Sequence, residues 1–107
     1  MPGPILEQNI IRDCKHIIDT SAKPLTDLQS HYRYLLDCDW SEQQPDWAFV
    51  FQKVYLHACL KGRADMATWI QGLFGNLSTI QQIAYRQTFA YGKILLDRAK
   101  AREKGLT

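Results

Sequence analysis

No stretch of this chain comes near the roughly 20 consecutive apolar residues that a membrane-crossing helix needs, so no membrane partner is expected. Its first residues, Met1-Pro-Gly-Pro-Ile-Leu-Glu-Gln8, hold no basic segment followed by an apolar one, so no secretory signal is expected. Pro2 before Gly3 also breaks the myristoylation pattern. The chain has no glycine-rich phosphate loop, no calcium loop, no dinucleotide fingerprint and no nucleophile elbow. The expectation is therefore a non-enzyme with no cofactor and no small-molecule substrate. Cysteine is scarce and odd in number: Cys14, Cys38 and Cys59 cannot all pair within one chain. Without a signal, that count favours free thiols in a reducing compartment, cytoplasmic with the nucleus as the alternative. Finally, no segment alternates apolar and polar residues as a half-buried strand would.

What is present is helical spacing. The chain has 107 residues, 46% of them apolar, enough for one domain and one core without a metal or disulfide. Leu6, Ile10, Cys14 and Ile17 form one stripe, widened by Ile11 and Ile18, and predict an amphipathic helix from about Pro4 to Asp19. A break at Thr20–Pro24 precedes a second helix, about Leu25 to Asp37, with Leu25, Leu28, Tyr32 and Leu35 on one side. Cys38–Pro45 reads as a polar, acidic surface loop in which Trp40 is unusual. Asp46 is a good N-cap for a third helix, which is apolar around much of its circumference and so belongs at the centre. Gly62 supplies the left-handed residue that ends it.

A fourth helix, about Ala64 to Phe74, carries Met66, Trp69, Ile70 and Leu73 and stops at Gly75. Ser78-Thr-Ile-Gln81 matches a capping box and opens a fifth helix to about Leu96, with Gly92 inside it. An interior glycine costs about 1 kcal/mol relative to alanine unless it permits close packing. The expected fold is all-α: a compact bundle of about five helices around a central helix-Gly-helix hairpin, residues 46–74. Residues 1–98 form the single helical domain, and 99–107 a charged tail that frays.

Tyr55-Leu-His-Ala-Cys-Leu-Lys-Gly62 faintly echoes Tyr85-Arg-Gln-Thr-Phe-Ala-Tyr-Gly92, thirty residues later. Ala58-Cys59-x-x-Gly62, followed by Met66, Ala67, Trp69 and Ile70, resembles the helical hairpin of an ankyrin repeat over about 20 residues. Neither a β-turn consensus nor a second repeat follows, so the likeness is one of close-packed helices and assigns no family.

Cys14-Lys-His16 and His57-Ala-Cys59 are a mirrored pair of metal-ligand types. Residues two apart on a helix point away from each other, so no metal site is expected. His16, His31 and His57 read as partly exposed or interhelical residues. Charge is divided: residues 1–50 hold eight acids against four bases, net −4, and residues 51–107 hold nine bases against three acids, net +6. Such polarity steers partners or orients self-association. Three tryptophans and five tyrosines are more aromatic area than a small core readily hides. The expected function is accordingly a non-catalytic protein-interaction or adaptor domain, self-association included, with Trp40, Trp47, Tyr32, Tyr34 and Phe74 as contact residues. The alternative is an RNA- or DNA-binding helical protein using Arg86, Lys93, Arg98, Lys100 and Arg102, with Lys104 beyond them, on the basic last helix.

Overall fold

The segments with apolar residues at three- and four-residue spacing fold into helices, with one break inside the last of them. A computed structural model describes residues 5–40, 44–76 and 78–103. Among these the chain is all-α, with six α-helices, one 3₁₀ turn and no strand: α1 Ile5–Thr20, α2 Pro24–Asp37, α3 Trp47–Leu60, α4 Ala64–Leu73, the 3₁₀ turn Phe74–Asn76, α5 Thr79–Ala84 and α6 Arg86–Glu103.

The helix ends follow from local chemistry. Pro24 starts α2 where its missing N–H has no partner to lose. The Asp46 carboxylate accepts from the Phe49 N–H at 3.2 Å and caps α3. The Asp46 N–H itself donates to Glu7 Oε2 at 3.0 Å, so the buried Glu7 ties the start of α3 to the first turn of α1. α3 closes in a Schellman arrangement: the Gly62 N–H donates to Cys59 O (3.0 Å) and the Arg63 N–H to Ala58 O (2.9 Å). Gly62 takes φ 75°, a conformation that a Cβ disfavours. It turns the chain directly into α4, which packs along α3.

α3 is wrapped by α1, α4 and α6. Its inner surface, Val50, Phe51, Val54, Tyr55, Ala58 and Cys59, is fully buried. Ile10, Ile11, Cys14 and Ile18 reach it from α1, Leu28 and Leu35 from α2, Met66, Ala67 and Ile70 from α4, and Leu95 from α6. Rings continue the core sideways: Phe74 packs edge-on to Phe51 (5.7 Å between centroids) and to Phe89 (4.9 Å), and Phe89 packs edge-on to Tyr55 (5.4 Å).

Two expectations change here. The single fifth helix is two, α5 and α6, broken at Tyr85. Tyr85 turns its ring toward Phe74 (5.5 Å), and burial pushes its hydroxyl pKa up. The helical domain also does not stop at residue 98: Ala99 is buried and α6 continues to Glu103. A small residue there lets the helix keep its apolar flank against the core beyond Leu95. The rest of the expected tail, residues 104–107 with Lys104, lies outside the described residues, as do residues 41–43 of the acidic loop.

Gly92 is the close-packing site that its interior position called for. A Cβ built there falls 2.7 Å from Tyr55 Oη and 2.8 Å from Cζ, inside any normal contact. The two faintly echoing segments, around Tyr55 and around Gly92, thus meet face to face, and the Tyr55 hydroxyl donates to Phe89 O at 3.4 Å.

Candidate functional site

The aromatic residues singled out in the sequence do not share one surface. Phe74 is corrected first: it is 2% exposed and lies at the centre of the ring network, so in this fold it contacts no partner. It continues the buried side of α4, four residues beyond Ile70 and eight beyond Met66, and lies between Phe51 and Phe89. Tyr34 is the opposite case, 63% exposed on α2 and stacked on His31 at 6.1 Å. Two residues from Tyr32 on the same helix, it points nearly the other way.

Tyr32, Trp40 and Trp47 do assemble. Trp40 folds back over the end of α2, its indole N–H donating to Leu35 O at 2.7 Å, and it meets Trp47 edge-on at 6.2 Å. Trp47 stacks on Phe51 (6.1 Å) and meets Tyr32 edge-on (6.0 Å). Tyr32 then meets Trp69 of α4 edge-on at 5.7 Å. All of these but Phe51 are half-buried. Burial pushes the Tyr32 hydroxyl pKa up.

Beside this cluster α2 and α4 diverge, leaving an open groove of about 330 Å³ lined by Gln29, Tyr32, Arg33, Leu36, Trp69 and Leu73. Leu36 is 53% exposed at its edge. Sequence reasoning placed Trp69 and Leu73 on the inner face of α4 and did not single out Arg33 or Leu36. The available signal was the four-residue step Tyr32–Leu36 beside Arg33, which puts all three on one side of α2.

The five bases of the nucleic-acid reading divide as well. Arg86, Lys93 and Lys100 are seven residues apart and share one flank of α6. Arg98 and Arg102, four apart, lie on the other flank, where Arg102 Nη2 donates to Leu60 O at 3.4 Å. All five are exposed, but they do not form a single track.

His57 and two of the thiols are tied into the packing of the helices. His57 Nε2 lies 2.8 Å from Asp19 Oδ1 and ties α3 to α1, with Lys61 Nζ 3.9 Å from the same oxygen. The hydrogen bond from His57, then the neighbouring positive charge, holds the Asp19 carboxyl below its usual pKa. Cys14 and Cys59 are buried, and desolvation pushes the Cys14 thiol up to about 12 and Cys59 upward too. Among the described residues no three His, Cys, Asp or Glu side chains are grouped to hold a metal, and no helix is long and apolar enough to cross a membrane.

Compared with protein-family models, curated proteins and solved structures, the chain finds no significant match in any of the three.

Proposed function

We propose that this chain is a non-catalytic protein-interaction domain whose binding face is the aromatic groove between α2 and α4. In this reading the hairpin of residues 46–74 is the frame of a helical bundle, and the groove is displayed on its α2 side. One observation carries the proposal. Tyr32 and Trp69 stand half-exposed and packed edge-to-face, with Arg33 and the exposed Leu36 on the same open groove. Tyrosine, tryptophan and arginine are the residues that dominate interface energies, and half-buried rings pre-ordered by their neighbours lose little conformational entropy on binding.

A non-catalytic role is supported by the thiols, since burial keeps Cys14 and Cys59 protonated and poor as nucleophiles. A nucleic-acid role has less support, because the α6 bases split between two flanks. The proposal places the domain in the cytoplasm or nucleus, on the strength of its three free thiols.

The test compares partner capture by the immobilised full-length chain with capture by Leu36→Arg and Trp69→Ala, alongside light scattering of each. Loss of a wild-type partner, or of self-association, in both variants with unchanged circular dichroism supports the groove. Retention of every interaction by both folded variants removes it.

A further inference from the structure

α3 is more apolar than its three neighbours cover. Phe49, Lys53, Leu56 and Leu60 recur at four-, three- and four-residue steps on the side away from Phe51 and Trp47. Phe49 and Leu56 are half-buried, and Leu60 is 48% exposed. α1 and α6 stand on either side of the Lys53–Leu60 part of this stripe, which with His57 forms the floor of a second groove, about 250 Å³. Leu95 and the 51%-exposed Tyr91 of α6 extend the apolar floor.

The rim has one sign. Lys15 of α1 and Lys53 of α3 line the groove, and Lys53 Nζ is held 5.4 Å above the Phe49 ring. Arg102 is drawn to the same end by its bond to Leu60 O, and Arg98 shares its flank of α6. The nearby carboxylate, Asp19, is already engaged by His57 and Lys61.

We infer that this second groove, between α1, α3 and α6, docks an acidic amphipathic helix of a partner protein. A floor of leucines fits the apolar stripe of a helix, and a lysine and arginine rim fits carboxylates on that helix's flanks. The α3 lining from Lys53 to Leu60 spans about two helical turns, which sets the length of the ligand's contact. Nucleic acid fits less well. Bases stack on aromatic faces, and this floor is mainly aliphatic with Tyr91 as its one well-exposed ring. The site lies on the other side of α3 from the α2–α4 groove and does not depend on it, so the two fail separately.

The probe is a fluorescein-labelled synthetic helix of about five turns. It carries leucine at i, i+3, i+4 and i+7 and glutamate elsewhere, and its control replaces every glutamate with lysine. Both are titrated by anisotropy into the full-length chain at low and high salt, beside a single-stranded RNA of similar charge. The acidic helix is expected to bind at least about 10-fold tighter than its lysine twin and to weaken with salt. K15E/K53E should weaken it by a further factor of about 10, while Leu36→Arg on the other groove leaves it unchanged. Amide shifts on binding should cluster at Leu56, Leu60, Tyr91 and Leu95, which locates the site without any variant. The proposal is overturned by any one of four results: equal affinity for the lysine twin, no binding of the acidic helix at millimolar concentration, unchanged affinity in a folded K15E/K53E, or RNA binding that displaces the acidic helix from these residues.

Discussion

The two sides of α3 are built from the same kinds of residue and have different fates. Val50, Phe51, Val54, Tyr55, Ala58 and Cys59 face inward and are sealed by α1, α4 and α6. Phe49, Leu56 and Leu60 face outward and stay partly wet, with Lys53 set among them. Apolar composition marks the helix as central but says nothing about which side a neighbour covers. The difference teaches that the inner side stabilises this fold, while the outer side, left partly exposed, is where the proposed partner helix would bind. Substitutions on the two sides should therefore separate stability from binding.

The largest effect is expected at the heart of the inner side. Phe74→Ala empties a site between Phe51, Phe89 and Tyr85 and should lower unfolding free energy by about 3–5 kcal/mol in a urea titration. A loss below 1 kcal/mol would show that the ring network is not the core.

Gly92→Ala comes next. Helix propensity alone favours the alanine by about 1 kcal/mol. The Tyr55 ring that the new methyl strikes is itself pinned by Phe89, so net destabilisation of about 1–3 kcal/mol is expected instead. In a double-mutant cycle with Tyr55→Leu the penalty should shrink, because the two changes share one contact. Additive effects would mean that Gly92 and Tyr55 do not touch.

Asp46→Ala removes the cap that receives the Phe49 N–H and should cost about 1 kcal/mol, read from the same titration. On the outer side, Leu60→Ser should change stability by no more than about 0.5 kcal/mol, because its side chain is already half in water. Its effect should appear in binding of the acidic helix. A large stability loss at Leu60 with no binding loss would erase the contrast between the two sides.

The smallest effect concerns acid. Folding holds the Asp19 carboxyl below its usual range, chiefly through the His57 hydrogen bond. A carboxyl depressed in the folded state contributes stability above its unfolded value, about pH 3.9, and loses it as the pH falls through the folded one. Asp19→Asn should therefore lower stability slightly at neutral pH and flatten the acid limb, the two stability profiles converging as the pH falls below about 4. Asp19 is largely exposed, so solvent screening keeps this contribution small.

Much of the fold was legible because its signals are local. The stripe Ile10, Cys14 and Ile17, the cap Asp46 and the stop Gly62 each act within a few residues, and each helix begins or ends where they indicate. The break at Tyr85 was not legible. Residues 79–96 keep helical spacing throughout, and Tyr85, at the interruption, packs its ring on Phe74, a contact that no local pattern announces. The aromatic site was half legible for the same reason. Tyr32, Trp40 and Trp47 sit on α2, on α3 and in the connection between them, and they converge. Phe74 was misplaced although the four-residue steps Met66, Ile70 and Phe74 put it on the buried face of α4. Trp69 and Leu36 join the groove only because α4 comes beside α2.

The sequence by itself determined that this protein is helical, where most of its helices begin and end, and that α3 lies inside. Periodicity, caps and a left-handed glycine act over one or two turns and need no distant partner. Tertiary structure alone decided which side of α3 is sealed, that Gly92 receives Tyr55, and that bases from α1, α3 and α6 gather around one apolar floor. Those outcomes depend on helices far apart in the chain meeting at particular rotations about their axes, and no local pattern carries that information.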